Sequence, residues 1–288
     1  MQRSFFFLGV LDNMKVSASL IKTWMKCSLQ AKYRYVDGLP EKKNAAASFG
    51  SAVHLALELY NNEFDVDSAV GTFLYVWDHP DEFDLAPEVW PMRTSFGMYR
   101  ERGEQFIRAY HEENQWVEKD IVATEHRFCV PIGDHLISGI VDLLEIPSKI
   151  PELHIVDYKS GSRPNKTDLG LDVQFTSYLW ASKQKEFWCG YEPEKEKYPG
   201  FENGEELFER VKNYNVIGIW YDLRNNKPYR VGVREDADFR RLHHCIDQIA
   251  RAMEAEVFVP TISGDSCVIC SFQEQCSAYP ADVFVSAP

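Results

Sequence analysis

Apolar residues recur every three or four positions in the first part of the chain, and this period predicts helices. The first predicted helix covers residues 17–35 and begins at a serine N-cap. Two more are predicted over residues 47–60 and 95–113. Residues 62–95 between them are acidic and contain several prolines, so we expect a loop-rich insertion there, with room for one short helix.

The pattern then changes to short apolar runs, which predict strands over residues 122–131, 136–146 and 154–159. Gly133-Asp134 lies between the first two runs and has the composition of a tight hairpin turn. The sequence therefore predicts an antiparallel pair followed by a third strand.

The remainder of the chain alternates between both patterns. A helix is predicted over residues 173–180, strands over 215–222 and 229–234, and a long helix over 236–256. Residues 187–212 are charged, and we expect them to be irregular.

The third strand ends in an acid and an amine on one face. Successive side chains of a strand alternate, so Ile155, Asp157 and Lys159 point the same way. A carboxylate there can hold a hard cation, and the ammonium can orient a water molecule. The alternative is a solvated ion pair at the end of a surface strand.

Other polar residues lie where they could join such a site. Asp142 is a lone acid in an apolar strand, and an unpaired carboxylate there is costly, so it needs a cation, a hydrogen-bond donor or a metal. Glu125 lies in the preceding strand. Gly50 and His54 share one helix face, where the glycine would let another backbone approach and the histidine could reach it. The alternative for His54 is a histidine hydrogen-bonded in the core.

Gln174 and Tyr178 are four residues apart and share a face of their helix. Both end in polar groups that suit a phosphate or a water molecule. The alternative is a partly exposed helix face.

Three cysteines close the chain as a C-x2-C-x5-C run at Cys267, Cys270 and Cys276. Cysteines at this spacing chelate a soft metal. A fourth thiolate is needed to close the site, and Cys27 can supply it by joining the two ends of the chain. The competitors for this place are Cys129, Cys189 and Cys245.

Composition limits the possible classes. The 288 residues are 45% hydrophobic and 26% charged, as in an ordinary globular protein. No apolar run approaches the roughly 20 residues of a membrane span. The seven cysteines without a secretory signal indicate a reducing, cytoplasmic compartment. A net charge of −13 argues against a broad phosphate-binding surface, but bound cations can supply positive charge locally.

Five motifs combine into one pattern: Gly50 to His54, Gly139-Ile140-Val141-Asp142, Asp157-Tyr158-Lys159, Gln174 to Tyr178, and Cys27 with Cys267, Cys270 and Cys276. Together they resemble the PD-(D/E)XK nuclease superfamily. They are most similar to its RecB-type exonuclease branch, which includes CRISPR-associated RecB-like nucleases, the AddB nuclease domain and related phage proteins. The resemblance spans residues 17–280 in outline.

The resemblance implies a fold and its division along the chain. The expected fold is α/β (α+β): a restriction-endonuclease-like core with a central mixed sheet flanked by helices. The chain would be a single domain over residues 1–288, with an insertion at 62–120. Residues 17–35 and 260–280 would together bind a cluster that clamps the termini.

The resemblance also implies a site. Asp142 and Asp157 would bind Mg²⁺ or Mn²⁺ with the Tyr158 carbonyl and His54, and Glu125 would add a contact. Lys159 would position the attacking water, and Gln174 and Tyr178 would hold the phosphate backbone. The four cysteines of the fifth motif would hold a 4Fe–4S cluster, with a structural Zn²⁺ as the alternative.

Two functions follow from this resemblance. The first is a metal-dependent exonuclease for single-stranded DNA or DNA ends, in recombination, repair, phage DNA processing or CRISPR adaptation. The second is a DNA-end-binding accessory subunit whose nuclease acts only inside a recombination or adaptation complex. The acidic charge favours the second, and the intact set of Asp142, Asp157 and Lys159 favours the first.

Overall fold

A long antiparallel hairpin forms the centre of the fold. The computed structural model describes residues 14–161, 165–193, 196–263, 267 and 270–279. The strands in chain order are β1 (Lys15–Ser17), β2 (Lys119–Ile132), β3 (His135–Pro147), β4 (Glu152–Lys159), β5 (Gly190–Tyr191), β6 (Tyr198–Pro199), β7 (Asn215–Asp222) and β8 (Lys227–Arg230).

The helices surround this hairpin and its sheet. They are α1 (Ala18–Lys26), α2 (Ser28–Ala31), α3 (Ala45–Glu63), α4 (Val66–Asp78), α5 (Phe96–Asn114), α6 (Lys166–Leu171), α7 (Val173–Ala181), α8 (Lys185–Cys189), α9 (Gly204–Val211) and α10 (Asp236–Glu254). A π-helical turn follows α2 at Lys32–Val36, and a 3-10 turn follows α4 at Pro80–Phe83.

The main sheet mixes parallel and antiparallel strands. Strands β2, β3, β4, β7 and β8 are neighbours in that order, and β4 runs parallel to β7 while the other pairs in this series are antiparallel. The short β1 runs parallel to β3. A mixed sheet flanked by helices confirms the predicted fold class.

One edge of β3 is shared by two strands. β1 pairs with it at Leu136–Ser138, and β4 pairs with it at Leu143–Glu145. In the sheet as described, residues 139–142 lie between these two pairings without a strand partner on that edge. The interruption leaves room for side chains to reach the backbone of β3.

Each face of the sheet is covered by its own helical layer, because the buried residues of β4 alternate. Leu153 and Ile155 pack with one apolar cluster, to which α1, α7 and α10 contribute. Val156 and Tyr158 pack with the other, to which α3, α4 and α5 contribute. The interrupted edge of β3 therefore lies where both layers meet the sheet.

Most predicted elements are confirmed with boundaries shifted by a few residues. The turn at Gly133-Asp134 joins β2 to β3, and Gly133 has the left-handed φ of +58° that this turn requires. The predicted helices over 95–113, 173–180 and 236–256 correspond to α5, α7 and α10.

The first helix is not continuous, contrary to the prediction over 17–35. Ser17 caps α1 as expected, but Cys27 is extended, with φ −165° and ψ 112°, and separates α1 from α2. The physical reason is tertiary: the Ser28 hydroxyl donates to the Val259 carbonyl at 2.8 Å and accepts from the Val259 N–H at 2.6 Å. The hydrogen bonds of Ser28 to this remote segment thus hold the chain in a conformation that interrupts the helix at Cys27.

Three further boundaries were predicted wrongly. Within 62–95 the structure has the 13-residue helix α4, whose buried residues, including Ala69, Val70, Phe73, Val76 and Trp77, have helical spacing. Over 187–212 it has the end of α8, the β5–β6 pair and α9. The strand predicted over 229–234 is the shorter β8.

Among the described residues, the longest and most apolar helices still fall short of what a membrane crossing requires.

The crossing of α4 and α5 generates a stability prediction. A Cβ atom on Gly103 would lie 1.9 Å from the ring of Phe73, which is fully buried. We expect Gly103→Ala to lower the free energy of unfolding by about 1–3 kcal/mol, measured by urea denaturation.

The matched control is Gly71→Ala in α4, where no atom lies within 4 Å of an added Cβ. Alanine favours the helix there, so we expect a gain of about 0.5–1 kcal/mol. A Gly103→Ala protein as stable as Gly71→Ala would contradict the packing described.

Candidate active site

Three carboxylates form a row across three adjacent strands. The β2–β3 register pairs Thr124 with Leu143 and His126 with Val141, so Glu125 faces Asp142. The β3–β4 register reaches Leu143 and Val156, and one further step brings Asp142 opposite Asp157. Like charges this close repel one another.

Glu125 has an unusual backbone for a strand residue. Its φ of +45° lies in the left-handed region, which costs a non-glycine residue about 1–3 kcal/mol. This strain lies directly opposite Asp142. Strain of this kind persists where the surrounding structure holds it, and functional sites are typical places for it.

Asp142 has the hydrogen-bond donor that the sequence analysis required. Its Oδ2 accepts the N–H of Tyr158 at 2.7 Å, just beyond the last registered pair of β3 and β4. The carboxylate of Asp142 therefore accepts the N–H of β4 that a main-chain carbonyl of β3 would accept in a continuous pairing. The residue is buried, with 8% of its surface exposed.

His54 of α3 completes a group of three ligand types. Its Nε2 lies 3.0 Å from the Tyr158 carbonyl, which can only accept, so Nε2 carries the proton. In the neutral ring Nδ1 then presents a lone pair, 3.5 Å from Asp142 Oδ2 and 4.0 Å from Glu125 Oε1. Three acceptors face one another, and a cation fits such a donor set.

This group is the one that the described residues offer for a metal ion: His54, Glu125 and Asp142 have ligand atoms within 4.8 Å of one another. Two ligands expected from the sequence are not in this group. Asp157 is not a member, and the Tyr158 carbonyl accepts a hydrogen bond from His54. Glu125, which the sequence analysis gave only as an added contact, is a member of the group. The register of a two-residue hairpin is the sequence signal that places it opposite Asp142.

The pKa values reflect the same crowding. Burial raises the pKa of Glu125 to about 7, and the neighbouring Asp142 charge adds to the rise. Burial also raises the pKa of Asp142 to about 6; the positive charge of a protonated His54 ring opposes the rise, and the Asp157 charge adds to it. A bound cation would relieve this repulsion.

Asp157 is held from the other side of the sheet by α7. Its Oδ1 accepts the Gln174 amide N–H at 2.8 Å, and its Oδ2 pairs with Lys159. Burial opposes the charged form of Lys159, but the carboxylates of Asp157 and Asp142 raise its pKa overall. Lys159 is therefore an ammonium at neutral pH.

Gln174 and Tyr178 share a helix face, as predicted, and bond to each other at 2.7 Å. Tyr178 donates its hydroxyl to the Ile140 carbonyl at 2.5 Å, within the interrupted stretch of β3. The described contacts thus direct both residues to Asp157 and to the backbone of β3.

Two results of the structure differ from the sequence analysis. Gly50 does not admit another backbone, because the one atom within 4 Å of an added Cβ is Ser160 Oγ at 3.5 Å, an ordinary contact. Lys22 was not identified from the sequence, yet its Nζ lies 3.0 Å from Asp172 Oδ2 and 3.2 Å from Gln174 Oε1. Only tertiary packing brings α1 to α7, and no local pattern indicates it.

The four cysteines of the fifth motif lie on segments that contact each other. Cys27 Sγ accepts the Thr261 N–H at 3.4 Å, and Cys267 Sγ lies 3.8 Å from the Thr261 carbonyl. The described cysteine sulfurs are not gathered into a group that could hold one metal ion.

Comparison with known families gives one match. Residues 15–277 match the profile of the family described as the PD-(D/E)XK nuclease superfamily. No curated protein matches the chain significantly.

The raised pKa values predict how stability depends on pH. The unfolded chain loses protons from Asp and Glu near pH 4, whereas the folded protein keeps them to about pH 6 at Asp142 and about pH 7 at Glu125. The folded state binds more protons in this interval, so the free energy of unfolding falls as the pH rises from about 4 to 7.

We therefore expect Glu125→Gln to raise the midpoint of thermal unfolding by on the order of 2 °C at pH 8. At pH 4 the substitution should leave this midpoint nearly unchanged. Adding Mn²⁺ at pH 8 should stabilise the wild type more than this variant. The control is Glu112→Gln at an exposed position of α5. An equal effect of Glu125→Gln at both pH values would contradict the described repulsion.

Proposed function

Because the chain belongs to the PD-(D/E)XK nuclease superfamily, we propose that it is a metal-dependent exonuclease that hydrolyses phosphodiester bonds of single-stranded DNA or DNA ends. We assign it to the RecB-like branch, on the motifs that the sequence shares with it. The observation that carries the proposal is the carboxylate row of Glu125, Asp142 and Asp157 with Lys159 beside it.

Glu125, Asp142 and His54 would hold the cation, and Asp157 lies next to them at the end of the row. Carboxylate oxygens suit Mg²⁺, and the imidazole also suits Mn²⁺. A divalent cation held there lowers the pKa of water and neutralises charge that develops on the phosphate.

Lys159 acts as a charged hydrogen-bond donor. Its raised pKa keeps the proton on Nζ, so it orients the attacking water and stabilises negative charge on the phosphate, and does not serve as the base. Its ion pair with Asp157 fixes the ammonium beside the row.

Gln174 and Tyr178 position these groups. The Gln174 amide donates to Asp157 and to Tyr178, and its oxygen accepts from Lys159 at 3.4 Å. Their hydrogen bonds are used within the site, so we assign them to orienting Asp157 and β3 instead of holding the phosphate backbone.

The test is degradation of end-labelled linear single-stranded DNA beside a covalently closed circle, with Mg²⁺ or Mn²⁺ and then with EDTA. We expect loss of the linear strand alone, no loss in EDTA, and a fall of at least about 100-fold in Asp157→Asn, which removes a charge from the row but keeps its shape. The control Asp236→Asn changes an exposed acid at the start of α10.

An Asp157→Asn protein as active as wild type would overturn the site. Cleavage of the circle would replace the exonuclease by an endonuclease.

A second function has one observation in its favour. The net charge of −13 gives the chain a weak intrinsic attraction for DNA. An accessory subunit that acts only within a recombination or CRISPR adaptation complex would obtain its substrate from a partner. A folded, metal-loaded chain that cleaves neither substrate alone would favour this function.

We also propose that Cys27, Cys267, Cys270 and Cys276 hold a 4Fe–4S cluster. Each cysteine of such a cluster binds its own iron, so the four sulfurs need not converge on one atom. In support, burial raises the pKa of the Cys270 thiol, and Cys27 and Cys276 are near enough to raise it further. The Tyr33 hydroxyl also donates to the Gln275 carbonyl at 2.8 Å, which joins the two segments.

Protein purified without oxygen should be brown and contain about four irons per chain. Cys27→Ser should lose most of this iron, and Cys189→Ser, at an exposed position outside the motif, should keep it. A colourless protein with stoichiometric zinc would contradict the cluster.

A further inference from the structure

The first described part of the chain has a charge opposite to that of the whole. Residues 14–36 contain five basic residues and no acidic one, in a chain with a net charge of −13. This segment includes α1, whose Leu20 and Ile21 are buried against the sheet layer of α7 and α10. The two basic residues of α1, Lys22 and Lys26, are exposed on its outer face.

Lys22 connects this helix to the candidate active site. Its Nζ lies 3.2 Å from Gln174 Oε1, and the same amide donates to Asp157 Oδ1. The Lys22 side chain is 43% exposed, so its ammonium also faces solvent. This ammonium, which also pairs with Asp172 Oδ2 at 3.0 Å, thus lies one residue away from the carboxylate row.

Lys26 continues in the same direction. It follows Lys22 by four residues and shares its helix face, about 6 Å further along the axis. It is exposed and directly precedes Cys27, whose Sγ accepts the N–H of Thr261 in the C-terminal segment at 3.4 Å. The two lysines form a line from the site toward the cysteine segment.

We propose that Lys22 and Lys26 form a phosphate-binding strip that guides one strand of DNA into the active site. The proposal rests on the proposed nuclease function and names where its substrate lies. A single helix face with two ammonium groups follows one backbone, and their spacing is comparable with that of neighbouring phosphates in an extended strand. In so acidic a protein, this strip supplies the local attraction that the overall charge lacks.

The contact of Lys22 with Gln174 allows a different role, in which Lys22 only orients that amide. The two roles differ in what a substitution changes. Loss of a phosphate contact weakens DNA binding and its dependence on salt. Loss of orientation lowers kcat and leaves the affinity for DNA unchanged.

The experiment measures binding of a fluorescent single-stranded oligonucleotide and of a blunt duplex, in EDTA to prevent cleavage, over a range of salt concentrations. The variants are Lys26→Ala and the double variant Lys22→Ala/Lys26→Ala. The control is Lys149→Ala, whose exposed lysine lies beyond β3 at the opposite end of the sheet. Thermal unfolding checks that each variant is folded.

We expect the double variant to bind the single strand at least about tenfold more weakly and to reduce the slope of log affinity against log salt by about 1.4, since each single-strand phosphate contact contributes about 0.7. Lys26→Ala should raise KM and leave kcat nearly unchanged, and Lys149→Ala should match wild type. Wild-type affinity and salt slope in the double variant, or a loss confined to the duplex, would overturn the strip. Failure of the nuclease function itself is separate: it would appear as a wild type that binds through these lysines but cleaves no DNA with Mg²⁺ or Mn²⁺.

Discussion

Repulsion among the carboxylates of Glu125, Asp142 and Asp157 is the constraint on which the surroundings of the site depend. Adjacent strands force the three acids into one row, and burial removes most of the water that would screen Asp142 and Asp157, while Glu125 is partly exposed. Two of the charges are stabilised separately: Asp142 accepts a main-chain N–H, and Asp157 pairs with Lys159. Glu125 receives the least compensation, and its pKa of about 7 is higher than that of Asp142, about 6. The repulsion lowers the stability of the folded chain at a place where a bound cation would restore it.

The interrupted edge of β3 explains how this arrangement fits inside an ordinary sheet. A continuous partner strand would satisfy residues 139–142 through its backbone and leave no space for side chains. Here the backbone pairings of β1 and β4 with β3 stop short of each other, and groups from two opposite helical layers reach the unpaired stretch. His54 comes from α3 on one face, and Tyr178 comes from α7 on the other. The site thus lies at a level of β3 that side chains from both layers reach.

Local sequence patterns were sufficient for much of this fold. The hairpin, the strand ending at Lys159 and the helix of Gln174 and Tyr178 follow from period and turn chemistry, because each is decided by neighbours in the chain. The break at Cys27 could not be predicted, since the cause is the remote backbone of Val259. Lys22 was missed for the same reason. The left-handed backbone of Glu125 also has no signal in its own residue type, although the register of the hairpin brings it opposite Asp142.

The turn at Gly133-Asp134 determines which residues of β2 and β3 meet. One register continues from Ile132 and His135 at the turn to Thr124 and Leu143 beyond the site. Outward-facing residues along this hairpin can therefore be exchanged freely without moving the carboxylates. Insertion or deletion of a single residue between Glu125 and Asp142 would instead turn one of them to the opposite face of the sheet. During divergence, this part of the gene should tolerate substitutions far more readily than changes in length.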